Sequence, residues 1–257
     1  MTKQQIISVV AFLLLFLVLF FAFDTKSKNK VAPSNSGSLD NTSVDITNEL
    51  NSAKSKLSQD SLMVINNFES NLIAASTDSL KSEVFKKISG WWYRQKEYAL
   101  AGYYAEKVAE IEKVDYAWAI AGTTFSVGAK SDNESTRKYC IEKSKKAFEN
   151  AISLSPNNIA HKVNLALCFA DNPPTDNPMK GIQMLLELSK EYPDENIVQI
   201  TLARLAVKTG QYEKAINRLL KILEKTPDDA NANCLLAEIY SNQGDNDKAM
   251  AYQKKCK

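Results

Sequence analysis

Apolar positions fall into three regimes along the chain. From Ile6 to Phe23 they are continuous, 18 residues with no charge and only Ser8 polar. As a helix rising about 1.5 Å per residue, this run measures about 27 Å, enough to cross a bilayer core. From Lys26 to Val44 (KSKNKVAPSNSGSLDNTSV) apolar positions thin out, and the Ser, Asn, Lys and Gly in their place cannot bury enough surface to fold alone. Beyond residue 44, apolar residues return three and four apart, the period of a helix with one buried face. Alternation with period two is almost absent, so the pattern predicts an all-α body. The chain therefore reads as an apolar anchor (1–23), a flexible polar linker (24–43) and a helical body (44–257).

Within the body, residues 44–81 carry Leu50, Leu57 and Val64 at seven-residue steps, with Ile46, Ala53 and Phe68 nearby. This predicts a leading amphipathic helix or helices covering the first unit of the body, or alternatively a coiled-coil seam between two copies. Further on, the pattern repeats itself. Gly210 and Gly244 are 34 residues apart, as are Pro193 and Pro227, Ala203 and Ala237, and Ala215 and Ala249. A self-match at this period marks stacked helical hairpins, each too small to bury its own apolar face.

In the clearest unit, 196–229, Leu202, Ala203 and Ala206 line a first helix, and Gly210-Gln211-Tyr212 makes a turn. Ala215, Leu219 and Ile222 line a second helix, and Pro227 ends it. Small residues at Ala203 and Ala215 let the two helices cross closely, and larger ones fill the grooves beside them. Unit 230–257 repeats this with Leu236, Ala237, Tyr240, Gly244 and Ala249. Unit 115–158 has Trp118, Ala121, Gly122 and Phe125, then about ten extra residues (126–135), then Ser144, Phe148 and Ala151. Unit 159–195 has Leu165, Ala166 and Phe169, the loop Asp171–Pro178, then Gly181, Leu185 and Leu188. A weaker unit, 82–114, has Ile88, Ser89, Trp92, Tyr98, Ala101, Ala105 and Val108.

These residues in this phase resemble the tetratricopeptide repeat (TPR) family over about 82–257. The resemblance implies a right-handed helical solenoid of about five hairpins, and a scaffold rather than an enzyme; the apolar run 6–23 adds a single N-terminal transmembrane helix in front of it. It implies a partner-binding groove lined by the first helices: Tyr93, Arg94, Tyr116, Ala119, Thr123, Val163, Leu167, Ile200, Arg204, Lys208, Glu238 and Asn242. The family's carboxylate clamp needs Lys and Asn at set positions. Lys86 fits, but Gly90 and Thr123 stand where Asn is needed, so the expected ligand is an extended peptide or partner helix with apolar anchors.

Composition agrees with this reading mainly by exclusion. A net charge of +2 argues against nucleic acid. A single histidine, His161, excludes zinc sites built on two, and no glycine-rich phosphate loop is present. No catalytic residue, metal or cofactor is assigned. Trp92 takes a core position of the first unit, which leaves Trp91 as a partly exposed neighbour or part of a binding hot spot.

The cysteines bear on location. Cys234 and Cys256 are equidistant from the turn at Gly244-Asp245, so they stand level on antiparallel helices. Cys140 and Cys168 miss their turn by about five residues in all, yet could still approach. The alternative is four buried thiols acting as small apolar residues. Two disulfides would imply an oxidising compartment. Lys26, Lys28 and Lys30 after the apolar run pull towards a cytoplasmic body. The run exceeds a signal-peptide core, and Phe21-Ala22-Phe23 offers no small-x-small cleavage site. The layout is similar to membrane-anchored bacterial envelope TPR proteins, such as the ancillary subunit of Sec translocons and factors of cytochrome c maturation. That similarity is one of architecture and fixes no pathway. With the cysteines weighed above the lysines, the expectation is a single-pass inner-membrane scaffold with a periplasmic body that binds envelope proteins and assists their secretion or assembly. The alternative is a cytoplasm-facing regulatory adaptor.

Overall fold

The computed structural model describes residues 45–256, which form twelve α-helices and no strand. The apolar run 6–23 and the linker 24–43 lie outside the described residues. Among those described, no helix is long and apolar enough to cross a membrane. Two leading helices, α1 (Ile46–Ser55) and α2 (Gln59–Ala74), precede five antiparallel hairpins. The first hairpin is α3 (Asp78–Arg94) with α4 (Tyr98–Glu112), and the second is α5 (Asp115–Gly128) with α6 (Glu134–Leu154). The third pairs α7 (Ile159–Asp171) with α8 (Lys180–Glu191), and the fourth α9 (Asn196–Lys208) with α10 (Tyr212–Lys225). The last pairs α11 (Ala230–Asn242) with α12 (Asn246–Gln253).

Helix starts are written in side chains that accept from orphan backbone amides. Asp45, Ser58, Thr77, Asn133, Asn158, Asp229 and Asp245 each cap a helix in this way. Three of the hairpin turns share one geometry. Gly210 and Gly244 adopt φ of 72° and 80°, and Lys96 takes the equivalent place in the first hairpin at 64°. In each, the next residue's amide reaches back to the first helix: Glu97 to Trp92, Gln211 to Ala206 and Asp245 to Tyr240.

Hairpins pack through small residues. A Cβ on Gly181 would collide with the α7 backbone at Ala166 and Ala170, so α7 and α8 cross almost in backbone contact. Gly102 receives the ring of Phe125 and Gly122 that of Phe148, joining α4 to α5 and α5 to α6. The apolar interior is a chain of local clusters, the first shared between the leading helices and the first hairpin and others between neighbouring hairpins, as in a solenoid.

Several local expectations change. The leading segment breaks at residues 56–58, with Leu57 in the turn and Val64 exposed, so Leu50, Leu57 and Val64 form no continuous seam. Ala53 and Ile65 instead pack on Trp91, Trp92, Leu100 and Tyr104 of the first hairpin. Trp91, expected partly exposed, is buried with Trp92, because the leading helices cover the face it occupies. The extra residues at 126–135 form less of a loop than expected. Half of them lengthen α5 and α6, leaving 129–133 as the connection. The first hairpin begins at Asp78, capped by Thr77.

Candidate functional groove

The first helices of successive hairpins form one face, and three clefts open along it. The first, of about 380 Å³, lies between α3 and α5, with Ala105 and Val108 of α4 as floor. Tyr93, Tyr116 and Ile120 form its rim and are 46%, 56% and 57% exposed. Three large apolar side chains left this open around an apolar floor make a surface suited to an inserted side chain. Tyr93 is steadied by an edge-on contact with Tyr98, ring centroids 5.1 Å apart.

One end of this cleft is polar. Glu112 accepts from Ser82 Oγ at 2.6 Å and pairs with Lys86 Nζ at 2.5 Å, and Tyr116 donates to it at 3.4 Å. The Lys86 ammonium, then the Ser82 hydroxyl, hold the Glu112 carboxyl below the usual carboxylate range, and Glu112 raises Lys86 in return. The acid is thus neutralised within the cleft.

The second cleft, between α5 and α7, is lined by Thr123, Lys130 and Leu167. The third, between α9 and α11, is lined by Arg204, Lys208, Cys234 and Glu238. Of the residues expected in the groove, Tyr93, Tyr116, Thr123, Leu167, Arg204, Lys208 and Glu238 line these three clefts. Arg94 and Asn242 are exposed at the ends of α3 and α11 without lining one, and Ala119 packs half-buried against the cluster of Phe148 and Leu165. Val163 and Ile200 do not belong to the groove. Val163 is 1% exposed among Leu185, Val198 and Leu202, and Ile200 packs with Ala232 and Leu235. Both point at the next hairpin's first helix, where stacking the repeats consumes the surface. Ile120 was missed, although it stands one helical turn beyond Tyr116 and shares its face.

The cysteines divide. Cys234 and Cys256 form a disulfide across the last hairpin, Cα atoms 4.7 Å apart. Cys140 and Cys168 are unpaired and buried, contrary to the expected second bridge. Cys168 lies 3.5 Å from Ser144 Oγ, which is one helical turn beyond Cys140 on α6. Cys140 packs instead with Ala99, Phe125 and Ala129. The five-residue offset legible in the sequence is the step that separates them. Burial pushes the Cys140 thiol up to about 12 and raises Cys168 as well.

His161 is buried in the first turn of α7, with Nε2 2.8 Å from Asp115 Oδ2 in the first turn of α5 and 3.0 Å from Asn158 Nδ2. It joins two hairpins rather than facing a cleft. Among the described residues no cluster of His, Cys, Asp and Glu could hold a metal ion.

No curated protein matches the chain in sequence. Solved structures match at low identity. MamA residues 41–end from Desulfovibrio magneticus RS-1 is 15% identical, with a TM-score of 0.39, covering 68% of this chain and 92% of its own. YrrB, described as a TPR protein with an unusual peptide-binding site, is 15% identical at a TM-score of 0.37, covering 74% and 90%. PilW, described as a widely conserved type IV pilus biogenesis factor, is 18% identical at 0.43, covering 68% and 76%. The profile described as "Tetratricopeptide repeat protein 21 ARM repeat" matches residues 104–254. That match spans more than half of a chain whose described body is five stacked helical hairpins, and the chain belongs to the tetratricopeptide repeat family.

Proposed function

We propose that this protein is a non-catalytic, membrane-anchored scaffold whose inner face binds protein partners at the cell envelope. The observation that carries the reading is the apolar cleft rimmed by Tyr93, Tyr116 and Ile120. An interface core is built around large apolar side chains, and this cleft holds three on a rigid helical frame. The apolar run 6–23 supports the anchor. The Cys234–Cys256 disulfide supports a body on the oxidising, periplasmic side, where such a scaffold would assist secretion or assembly of envelope proteins.

Photo-crosslinking from the rim of the first cleft in intact membranes, with recovered partners identified by mass spectrometry, tests the reading. With the photo-reactive residue at position 93 on that rim, reproducible partners are expected, and their loss when Ile120→Glu is added to the same chain. Crosslinks that are unaffected by that change would overturn it. A second reading, a cytoplasm-facing regulatory adaptor, is favoured by Lys26, Lys28 and Lys30 beside the apolar run. A topology reporter fused at the C-terminus separates the two.

A further inference from the structure

We infer that the groove selects partner segments carrying one aromatic or large aliphatic anchor followed by acidic side chains, an inference that rests on the proposed scaffold role. The first cleft supplies the anchor site, with Tyr93, Tyr116 and Ile120 around a floor of alanine and valine. Its only carboxylate, Glu112, is already satisfied by Lys86, Ser82 and Tyr116, so the cleft does not call for a cationic ligand.

Cations without an ion-pair partner among the described residues mark the rest of the path. Arg94 closes α3, and a Cβ placed on Gly90, in the cleft wall, would stand 3.7 Å from its guanidinium. Arg94 therefore hangs beside the anchor site. Lys130 lines the second cleft and Arg204 the third, both exposed. The acids along these clefts are fewer in free charge. In the second cleft Asp171 is tied to Lys208 at 3.0 Å, and Glu238, in the third, is the one lining carboxylate left without an ion pair among the described residues. Neighbouring helices stack about 10 Å apart, so the centres of the first and third clefts, three intervals apart because none of these clefts lies between α7 and α9, are separated by about 30 Å. That is the length of about nine extended residues. Charge complementarity over that length favours an acidic segment and disfavours a basic one. Recognition is through side chains along the chain, not through a terminal carboxylate.

The test uses the full chain in detergent micelles and three fluorescent twelve-residue peptides blocked at both ends. One carries a single Phe followed by four Glu, one replaces the Glu with Lys, and one replaces the Phe with Ala. The Phe-Glu peptide is expected to bind at least tenfold more tightly than either control, and to weaken as salt rises. Ile120→Glu is expected to abolish binding, and Arg94→Glu to narrow or reverse the Glu-over-Lys preference. Equal binding of the Glu and Lys peptides overturns the inference. An unbiased peptide-display selection distinguishes its failure from that of the scaffold role. Basic or uncharged binders lost in Ile120→Glu would sink the acidic preference alone, whereas no groove binder of any charge would sink both.

Discussion

At Gly181 the separation of two helices is set by a missing side chain. A methyl there would meet backbone atoms of Ala166 and Ala170, which cannot rotate away as a side chain could. Gly181→Ala should therefore cost about 3 kcal/mol in denaturant unfolding, the upper range for overpacking. Gly90→Ala is the contrasting case. Its nearest neighbour is the mobile Arg94 guanidinium at 3.7 Å, so the gain in helix propensity, about 1 kcal/mol, should dominate. Lys96 holds a left-handed turn that two sister hairpins give to glycine, and Lys96→Gly should stabilise the protein by about 1 kcal/mol. Asp115 shows how pH enters. Its hydrogen bond to His161 lowers the carboxyl, so its contribution is present above the ordinary carboxylate range and lost as pH falls through the lowered value. Unfolding measured from pH 7 to pH 3 should show Asp115→Asn less stable than the parent at neutrality, with the gap closing in acid.

At the scale of elements, the helices that were easiest to read are the last four. Their turns carry Gly210 and Gly244, and their second helices end before proline or at the chain's polar tail. The first hairpin was fainter for a definable reason, since Lys96 does the work of glycine and hides the turn. The inserted stretch at 126–135 was misjudged because tertiary packing overrides propensity there: Ser126, Val127 and Gly128 are poor helix formers, yet α5 continues through them with Gly128 packed against Cys140 and Tyr98. Groove membership was only partly legible. Helical phase gives the face a side chain occupies, but not whether the next repeat covers it, and Val163 and Ile200 are covered. Counting residues to the turn placed Cys234 and Cys256 level, as the bridge requires, but it also admitted a second bridge between Cys140 and Cys168 that does not form. With both remaining thiols buried and their ionisation disfavoured, native protein should show no thiol reactive to iodoacetamide at pH 8, and two on unfolding without reductant. Helix α12 has no buried residue, so its place depends heavily on the bridge to α11. Cys256→Ser should loosen this hairpin, with the loop-entropy effect on the order of 3 kcal/mol and a rise in amide exchange confined to α11 and α12.

For the whole molecule, the hairpins form a line in which packing passes from neighbour to neighbour, so damage at one end is absorbed locally. The groove follows the same logic. Its rim residues are exposed and carry little of the fold, so Ile120→Glu should leave the melting temperature within the small range of surface changes while removing partner binding. The bridge between Cys234 and Cys256 also decides how the line bears tension. A pull applied at the C-terminus enters the oxidised protein at Cys256 and passes straight into α11, bypassing everything between the two sulfurs. The 22-residue separation contributes no extension, so stretched oxidised molecules should be shorter than reduced ones by about 75 Å. The final hairpin then cannot unravel helix by helix from the C-terminus and leaves the line only as one cross-linked unit.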